Sequence, residues 1–248
     1  MKKLLSIGEA AKLIGVSIDT LRKWEEKGIL LSFRPSKTSK RYYRPSDINQ
    51  FLNEDNTSSN EKIIDLAESW AFSDSPTQLS KDYYCETSDI FSARLQHLSV
   101  KLTKDQKLAD ISPLIIAILG EIGNNSFNHN IGNWPDVRGI FFGYDFGKQQ
   151  IVLADRGQGI LNTLRKVQPD LNTDCEALEV AFTKYISARA PEDRDNGLKF
   201  VKDVIENNPI DLYFLSGNAE LIQKGNTSKL KIEKKDQTFH GYLTIIKY

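Results

Sequence analysis

Apolar and polar positions alternate at helical spacing in short bursts along the first fifty residues. Ser6 precedes Ile7-Gly8-Glu9, the spacing at which a hydroxyl and a carboxylate satisfy free N–H groups at a helix start. Ala10, Ala11, Leu13 and Ile14 then offer an apolar face. Gly15 breaks this helix, Ser17 caps a second through Leu21 and Trp24 to Lys27, and Gly28 stops it. Ile29 to Tyr43 predicts a basic hairpin, and Ser46-Asp47-Ile48 opens a third helix ending near Leu52. Residues 54–60 are polar, have no apolar period and predict a linker. Residues 61–72 predict an amphipathic helix carrying Ile63, Ile64, Leu66, Ala67 and Trp70. A further helix over about 88–103 carries Ile90, Phe91, Leu95, Leu98 and Leu102.

The remainder mixes helices with strands. Ser112-Pro113 opens a helix running to about Asn130, with Leu114, Ile115, Ile118, Leu119, Ile122 and Phe127 on its apolar side. Strands follow over 137–145 and 149–154, then a helix near 174–184, a charged loop over 185–196 and a helix from Gly197 to Asn207. Strands at 210–215 and 242–246 close the chain. The pattern predicts an α+β protein: a small all-α winged helix-turn-helix domain over 1–53, a linker and connecting helix over 54–84, and a region of mixed helices and strands over 85–248.

Composition sharpens that division. The formal net charge is zero, yet residues 1–53 hold 11 Lys and Arg against 5 Asp and Glu, a net of +6, so the rest carries −6. A basic head on an acidic body points to a polyanion for the head alone. No run of about 18 apolar residues is present, so no membrane partner is expected. Glu9 and Lys12 interrupt any signal-peptide core, and a cytoplasmic address follows. Cys85 and Cys175 are expected to be buried, reduced thiols.

The run from Val16 to Leu30, followed by Arg34 and Lys40-Arg41-Tyr42-Tyr43, resembles the DNA-binding domain of the MerR family and is similar to the winged modules of excisionases. The resemblance covers roughly residues 4–53 and implies double-stranded DNA as partner. It implies that Thr20, Arg22 and Lys23 face the major groove while Arg34, Lys40, Arg41 and Tyr42 grip the backbone. Lys23 stands where the family usually has an aromatic residue, so base preference does not carry over. MerR relatives dimerise through a long coiled coil; a homodimer is expected here, but no sustained heptad run assigns its surface.

In the second region, Glu121, Asn125 and His129 recur every four residues and share one face of an otherwise apolar helix. A magnesium–nucleotide would make that polar face affordable: the Asn125 amide oxygen suits a hard cation, and Glu121 is placed to orient or deprotonate a water. Asp155-Arg156-Gly157-Gln158-Gly159 follows a strand, so a buried Asp155 would accept from an adenine amino group while Gly157 and Gly159 let backbone approach. Ser187 and Arg189 in the charged loop, and Asn196-Gly197-Leu198 at a helix start, are candidate phosphate contacts. No Walker sequence occurs. This ordered set resembles the GHKL superfamily of ATPases, which includes gyrase, sensor histidine kinases and anti-sigma kinases, over about residues 85–248. The resemblance implies an α/β sandwich (the GHKL ATP-binding fold) over 85–248, ATP and Mg²⁺ as cofactors, metal at Asn125, a catalytic base at Glu121 and support of Asp155 by Thr244 through water. Asp195 and Lys199 depart from the family's second glycine string, which favours binding over rapid hydrolysis.

The expected function is therefore a DNA-binding regulator in which Mg-ATP binding or slow hydrolysis modulates engagement of DNA or a partner protein. The alternatives are a protein kinase of the histidine or anti-sigma serine type and a non-hydrolysing nucleotide-binding module. His97, in Leu95-Gln96-His97-Leu98-Ser99, lacks the context of a phosphoacceptor and is expected as a surface or half-buried residue of its helix.

Overall fold

The computed structural model describes residues 4–34, 36, 39–53, 63–75, 77–184 and 197–248. Its contacts divide the chain into two units, Met1–Asp55 with Ser92–Ser112, and Asn56–Phe91 with Pro113–Tyr248.

In the first unit, β1 (Leu5–Ser6) runs directly into α1 (Ile7–Ile14), and the reciprocal cap forms: the Glu9 N–H donates to Ser6 Oγ at 3.3 Å while the Ser6 N–H donates to Glu9 Oε2 at 2.7 Å. Gly15, at φ 87°, ends the helix in the left-handed conformation and returns its N–H to the Ala11 carbonyl. Ser17 caps α2 (Ile18–Glu26) by accepting the Thr20 N–H at 3.0 Å. β2 (Tyr42–Tyr43) pairs antiparallel with β1, Tyr43 opposite Leu5, and Phe33 bridges to Tyr42. The head is therefore not all-α. The chain before the first helix is extended and takes up the edge that the wing offers. α3 (Pro45–Asn53) follows. Ala10, Ile14, Leu21, Trp24, Tyr43 and Ile48 form the centre of one apolar cluster. Leu13 is 50% exposed, because the inward face of so short a helix is the stripe through Ala10, Ala11 and Ile14.

The second unit begins with α4 (Ile63–Phe72) and β3 (Tyr84–Cys85). α5 (Ser88–Lys104) has its first turn in this unit, while its residues from Ser92 onward count with the head. There Ala93 joins the head cluster, His97 stacks on Phe51 with ring centroids 4.0 Å apart, and Val100 lies 3.9 Å from where a Cβ at Gly15 would be. His97 is thus a core residue and not a surface one. α6 (Ser112–Asn130), β4 (Ile140–Asp145), β5 (Gln150–Asp155), α7 (Gly159–Leu164), α8 (Asp174–Thr183), α9 (Gly197–Glu206), β6 (Asp211–Gln223) and β7 (Leu230–Lys247) complete the order.

Five strands form an antiparallel sheet in the order β3-β4-β5-β7-β6. Alternation puts Phe141, Val152, Ala154 and Leu243 on one face, where Ile63, Ala67, Trp70 and Ala71 of α4 cover them. The other face carries Phe142 against Phe91 and Phe214 against Phe182 of α8. With both faces covered, β4 and β5 are buried almost end to end, which explains their nearly unbroken apolar runs. The connecting helix expected over 54–84 is therefore a layer of the sheet unit. Its apolar stripe required burial, and the sheet supplies the surface.

β6 and β7 are each longer than one crossing of the sheet. A straight strand from Asp211 to Lys224 would span about 43 Å, yet the Asp211 carboxylate accepts from Lys224 Nζ at 2.8 Å and from the Gly225 N–H at 2.9 Å. The chain folds back where the register breaks, at Gly217 with φ 59°.

Candidate functional site

The head presents basic side chains in two different states. Arg22, Lys23 and Lys40 are exposed, Arg22 beside Asp19 at 3.6 Å. Arg34 and Arg41 instead converge on Glu25, together with the Ser32 hydroxyl, and Arg34 Nη2 lies 2.8 Å from Glu25 Oε2. Burial pushes the Glu25 carboxyl up, but the hydrogen bonds from Arg41, Ser32 and Arg34 outweigh it and hold the group at about 2. Thr20 shares its hydroxyl with Ser17 at 2.8 Å, and Tyr42 sits half-buried in β2. Of the seven residues expected to contact DNA, three thus stand exposed on the surface, two brace the wing against α2, one serves the cap and one holds the strand pair. The partner that occupies Arg34 and Arg41 is Glu25, a residue that composition alone marks only as one more surface carboxylate.

In the sheet unit, the three sequence strings converge. One cleft is lined by Ile122, Asn125, Ser126, Asp155, Gly159 and Leu198 among others, and encloses about 350 Å³ of non-protein space, open solvent at its mouth included. A Cβ on Gly197 would stand 2.7 Å from Glu121 Oε2 and 3.1 Å from Asn125 Nδ2, so the start of α9 lies directly against the polar face of α6. Only glycine permits that approach without moving the Glu121 head.

Asp155 ends β5 and is buried, with Oδ1 accepting the Gly157 N–H at 2.9 Å and the Tyr242 N–H at 3.2 Å. Burial raises its pKa to about 6, against the pull of those N–H groups and of the Ser126 hydroxyl. None of the shifting influences on Asp155 is a cation. The turn after it is clamped from two sides. Asn130 accepts the Gln158 N–H at 2.9 Å and fills the space where a Cβ on Gly157 would lie, 2.3 Å from its Nδ2. Arg156, 1% exposed, turns away from the cleft to Asp136 at 2.6 Å and to the Trp70 carbonyl at 2.6 Å. Gly241, at φ 73°, has Asp155 Oδ1 2.2 Å from its would-be Cβ, so this position also demands glycine.

Thr244 makes no direct hydrogen bond to Asp155. The register puts Tyr242 opposite Asp155 and Thr244 opposite Leu153, on the same face and diagonal to Asp155, and the Thr244 hydroxyl donates to the Tyr213 carbonyl at 2.9 Å. Ser126 and Tyr242 are the neighbours not expected from sequence that donate toward Asp155. Their signals were slight: Ser126 adjoins Asn125, and the glycine at 241 marks where the last strand nears another backbone. Ser187, Arg189 and Asn196 lie outside the described residues. Among the described residues no group of three His, Cys, Asp or Glu could hold a metal ion, so a cation at Asn125 would depend on ligands brought by phosphate and water. Cys85 is buried and Cys175 half-buried, and neither is in a disulfide.

The capped helix pair, its paired wing strand and its free basic residues define a DNA-binding helix-turn-helix. Residues 6–43 match the model of the MerR family regulatory protein. That match lies wholly within the head. A search of curated proteins finds no match to the chain. Among the described residues no helix is long and apolar enough to cross a membrane.

Proposed function

We propose that this DNA-binding regulator carries an Mg-ATP site in its sheet unit, and that occupancy of the cleft alters how the head engages DNA or a partner protein. The single observation behind this reading is that Asn125, Asp155, Gly159 and Leu198, remote in sequence, line one cleft, with Gly197 set against Glu121 and Asn125. Their arrangement resembles that of GHKL ATPases. Asp155 fits a purine amino group: it is a buried acceptor whose neighbours donate only N–H and O–H groups, so a further neutral donor suits it better than an anion does. Asn125 would hold magnesium through its amide oxygen, and the first turn of α9 would receive phosphate on its N–H groups. The cation, when bound, offsets the negative charge of the phosphates. Glu121 would orient a water at the open end. Lys199 in the first turn of α9, already paired with Asp203 at 3.3 Å, narrows the room for a tight glycine loop around phosphate, which fits slow turnover.

His97 speaks against a histidine kinase that would use it as phosphoacceptor. It is buried, stacked on Phe51 and edge-on to Trp24, and desolvation holds its pKa down at about 3. Such an imidazole is screened from a phosphoryl donor.

Calorimetric titration of the full chain with ATP, ADP and GTP, with and without magnesium, tests the site. Mg-ATP is expected to bind most tightly, and Asn125→Ala to remove the magnesium dependence. Glu121→Ala is expected to stop turnover and spare binding. DNA affinity across a salt series, with and without Mg-ATP, tests the coupling, which must be reciprocal. Equal DNA affinity in both states would leave nucleotide binding without a regulatory role.

A further inference from the structure

Three N–H groups of the turn after β5 are taken by side chains from three different elements. The Gly157 N–H goes to Asp155 Oδ1 of β5 at 2.9 Å, the Gln158 N–H to Asn130 Oδ1 of α6 at 2.9 Å, and the Ile160 N–H to Ser216 Oγ of β6 at 3.1 Å. Asn130 is buried, and both ends of its amide are engaged: as Oδ1 accepts from the turn, Nδ2 donates to the Ser126 carbonyl at 2.8 Å. One neighbour is a backbone N–H and the other a backbone carbonyl, so only this orientation of the amide satisfies both. The first glycine of the turn is fitted to the same side chain. A Cβ on Gly157 would meet Asn130 Nδ2 at 2.3 Å and its Cγ and Oδ1 at 2.6 Å, and Gly157 is not in the left-handed conformation. Gly159, at φ 74°, is among the described residues that line the cleft, and Gly157 is not. The glycine at 157 therefore makes room for Asn130, whereas the one at 159 faces the cleft.

We propose that Asn130 is a positioning residue for the base end of the cleft: it locks the backbone of the Asp155 turn to α6, and Gly157 is glycine so that the lock can close. α6 also carries Glu121 and Asn125. One helix thereby fixes the spacing between the carboxyl that accepts the base amino group and the amide that holds magnesium, and a displacement of the turn alone misplaces the first without disturbing the second. Gln158 Nε2 adds a tie to the same helix, donating to the His129 carbonyl at 3.0 Å. That tie runs through a long side chain, whereas Asn130 holds the turn by its main chain. The role of the lock in base selection rests on the nucleotide reading; the lock itself does not.

The test compares ATP with purine riboside triphosphate, which lacks the amino group, by calorimetry of the full chain with magnesium present. The wild type is expected to prefer ATP. Asn130→Ala should weaken ATP about tenfold, the size of a lost hydrogen bond, and leave the analogue unchanged. Gly157→Ala should give the same loss by forcing Asn130 aside. In the double variant the vacated space admits the new methyl, so the two changes together should cost no more than Asn130→Ala alone. A merely structural Asn130 would weaken both ligands alike. An unchanged ratio of the two affinities in Asn130→Ala, or additive losses in the double variant, would overturn the positioning role and leave the nucleotide site standing. A wild type that binds neither triphosphate would sink the nucleotide reading, and with it the role in base selection. Hydrogen exchange of the ligand-free chain then decides the lock by itself: the Gln158 amide should exchange about tenfold faster in Asn130→Ala, and an unchanged rate would overturn it.

Discussion

Glu25 in the head and Asp155 in the sheet unit are both carboxyls largely withdrawn from water, and they have been driven in opposite directions. Glu25 sits under two guanidinium groups and is held at about 2; Asp155 meets only N–H and O–H donors and is raised to about 6. The first is a finished interaction, with its charge answered inside the chain. The second has donors enough to exist but keeps unmet demand, and such groups are a common sign of a binding site. A buried acid with its counter-charge beside it supports the fold. A buried acid without one is what the proposed nucleotide site requires.

Substitution should break this contrast most visibly. Asp155→Ala is expected to lower ATP affinity on the order of 100-fold, the cost of losing a buried hydrogen-bond acceptor for the base, as read by calorimetry. It should leave apo stability at pH 8 unchanged or raised. Glu25→Gln should do the reverse. It removes the charge answering Arg34 and Arg41, lowers the stability of the head by about 3 kcal/mol and leaves ATP affinity alone, as thermal melts paired with titrations would show.

The pH dependence follows with opposite signs. The Glu25 pKa is lowered on folding, so its contribution is complete above about pH 4.5 and is lost as pH falls toward 2. The Asp155 pKa is raised, so its contribution is complete below about pH 3.8 and is lost as pH rises through about 6. Ligand binding reverses the second effect: a base that prefers the ionised carboxylate should bind more tightly as pH rises through 6. Denaturant melts and ATP titrations over pH 3–8 check both. Affinity independent of pH from 5 to 8 would contradict the assigned role of Asp155.

Smaller effects are expected elsewhere. Gly197→Ala should push the Glu121 head aside and weaken Mg-ATP about tenfold, with a melting temperature changed by only about 2 °C. In the head, Lys40→Ala should weaken DNA binding about uniformly across sequences and reduce the salt slope by about one. Arg41→Ala should cost head stability more than salt slope, since its guanidinium is committed to Glu25. Equal salt slopes for the two variants would show that Arg41 leaves Glu25 for phosphate.

Legibility followed the range of the interactions concerned. The caps at Ser6 and Ser17, the Glu121–Asn125 spacing and the Asp155 turn depend on neighbours within a few residues, and sequence displays them directly. Gly241 is required by its φ of 73° and by Asp155, which lies 2.2 Å from its would-be Cβ, and the placing of Tyr242 rather than Thr244 opposite Asp155 follows from a ladder register set by strands eighty and more residues apart. The stripe on residues 61–72 announced that it would be buried, but not against which surface. The pairing of Arg34 and Arg41 with Glu25 was hidden for a related reason: charge counts register three ions, and only the folded wing brings them to one point.

The buried guanidinium of Arg156 has a practical corollary for dissecting the chain. Besides Asp136, its acceptors are the carbonyls of Trp70 and Ala71 and the Ser73 hydroxyl, all supplied by α4 and the residue just beyond it. A fragment begun at residue 85, where the resemblance to GHKL ATPases begins, strips away those three acceptors. It also uncovers the sheet face under Trp70, and leaves a cation in a cavity next to the Asp155 turn. Cutting before residue 63 preserves them. The earliest helix of the sheet unit is in effect part of the scaffolding of the cleft, and a piece without it would report on a damaged pocket.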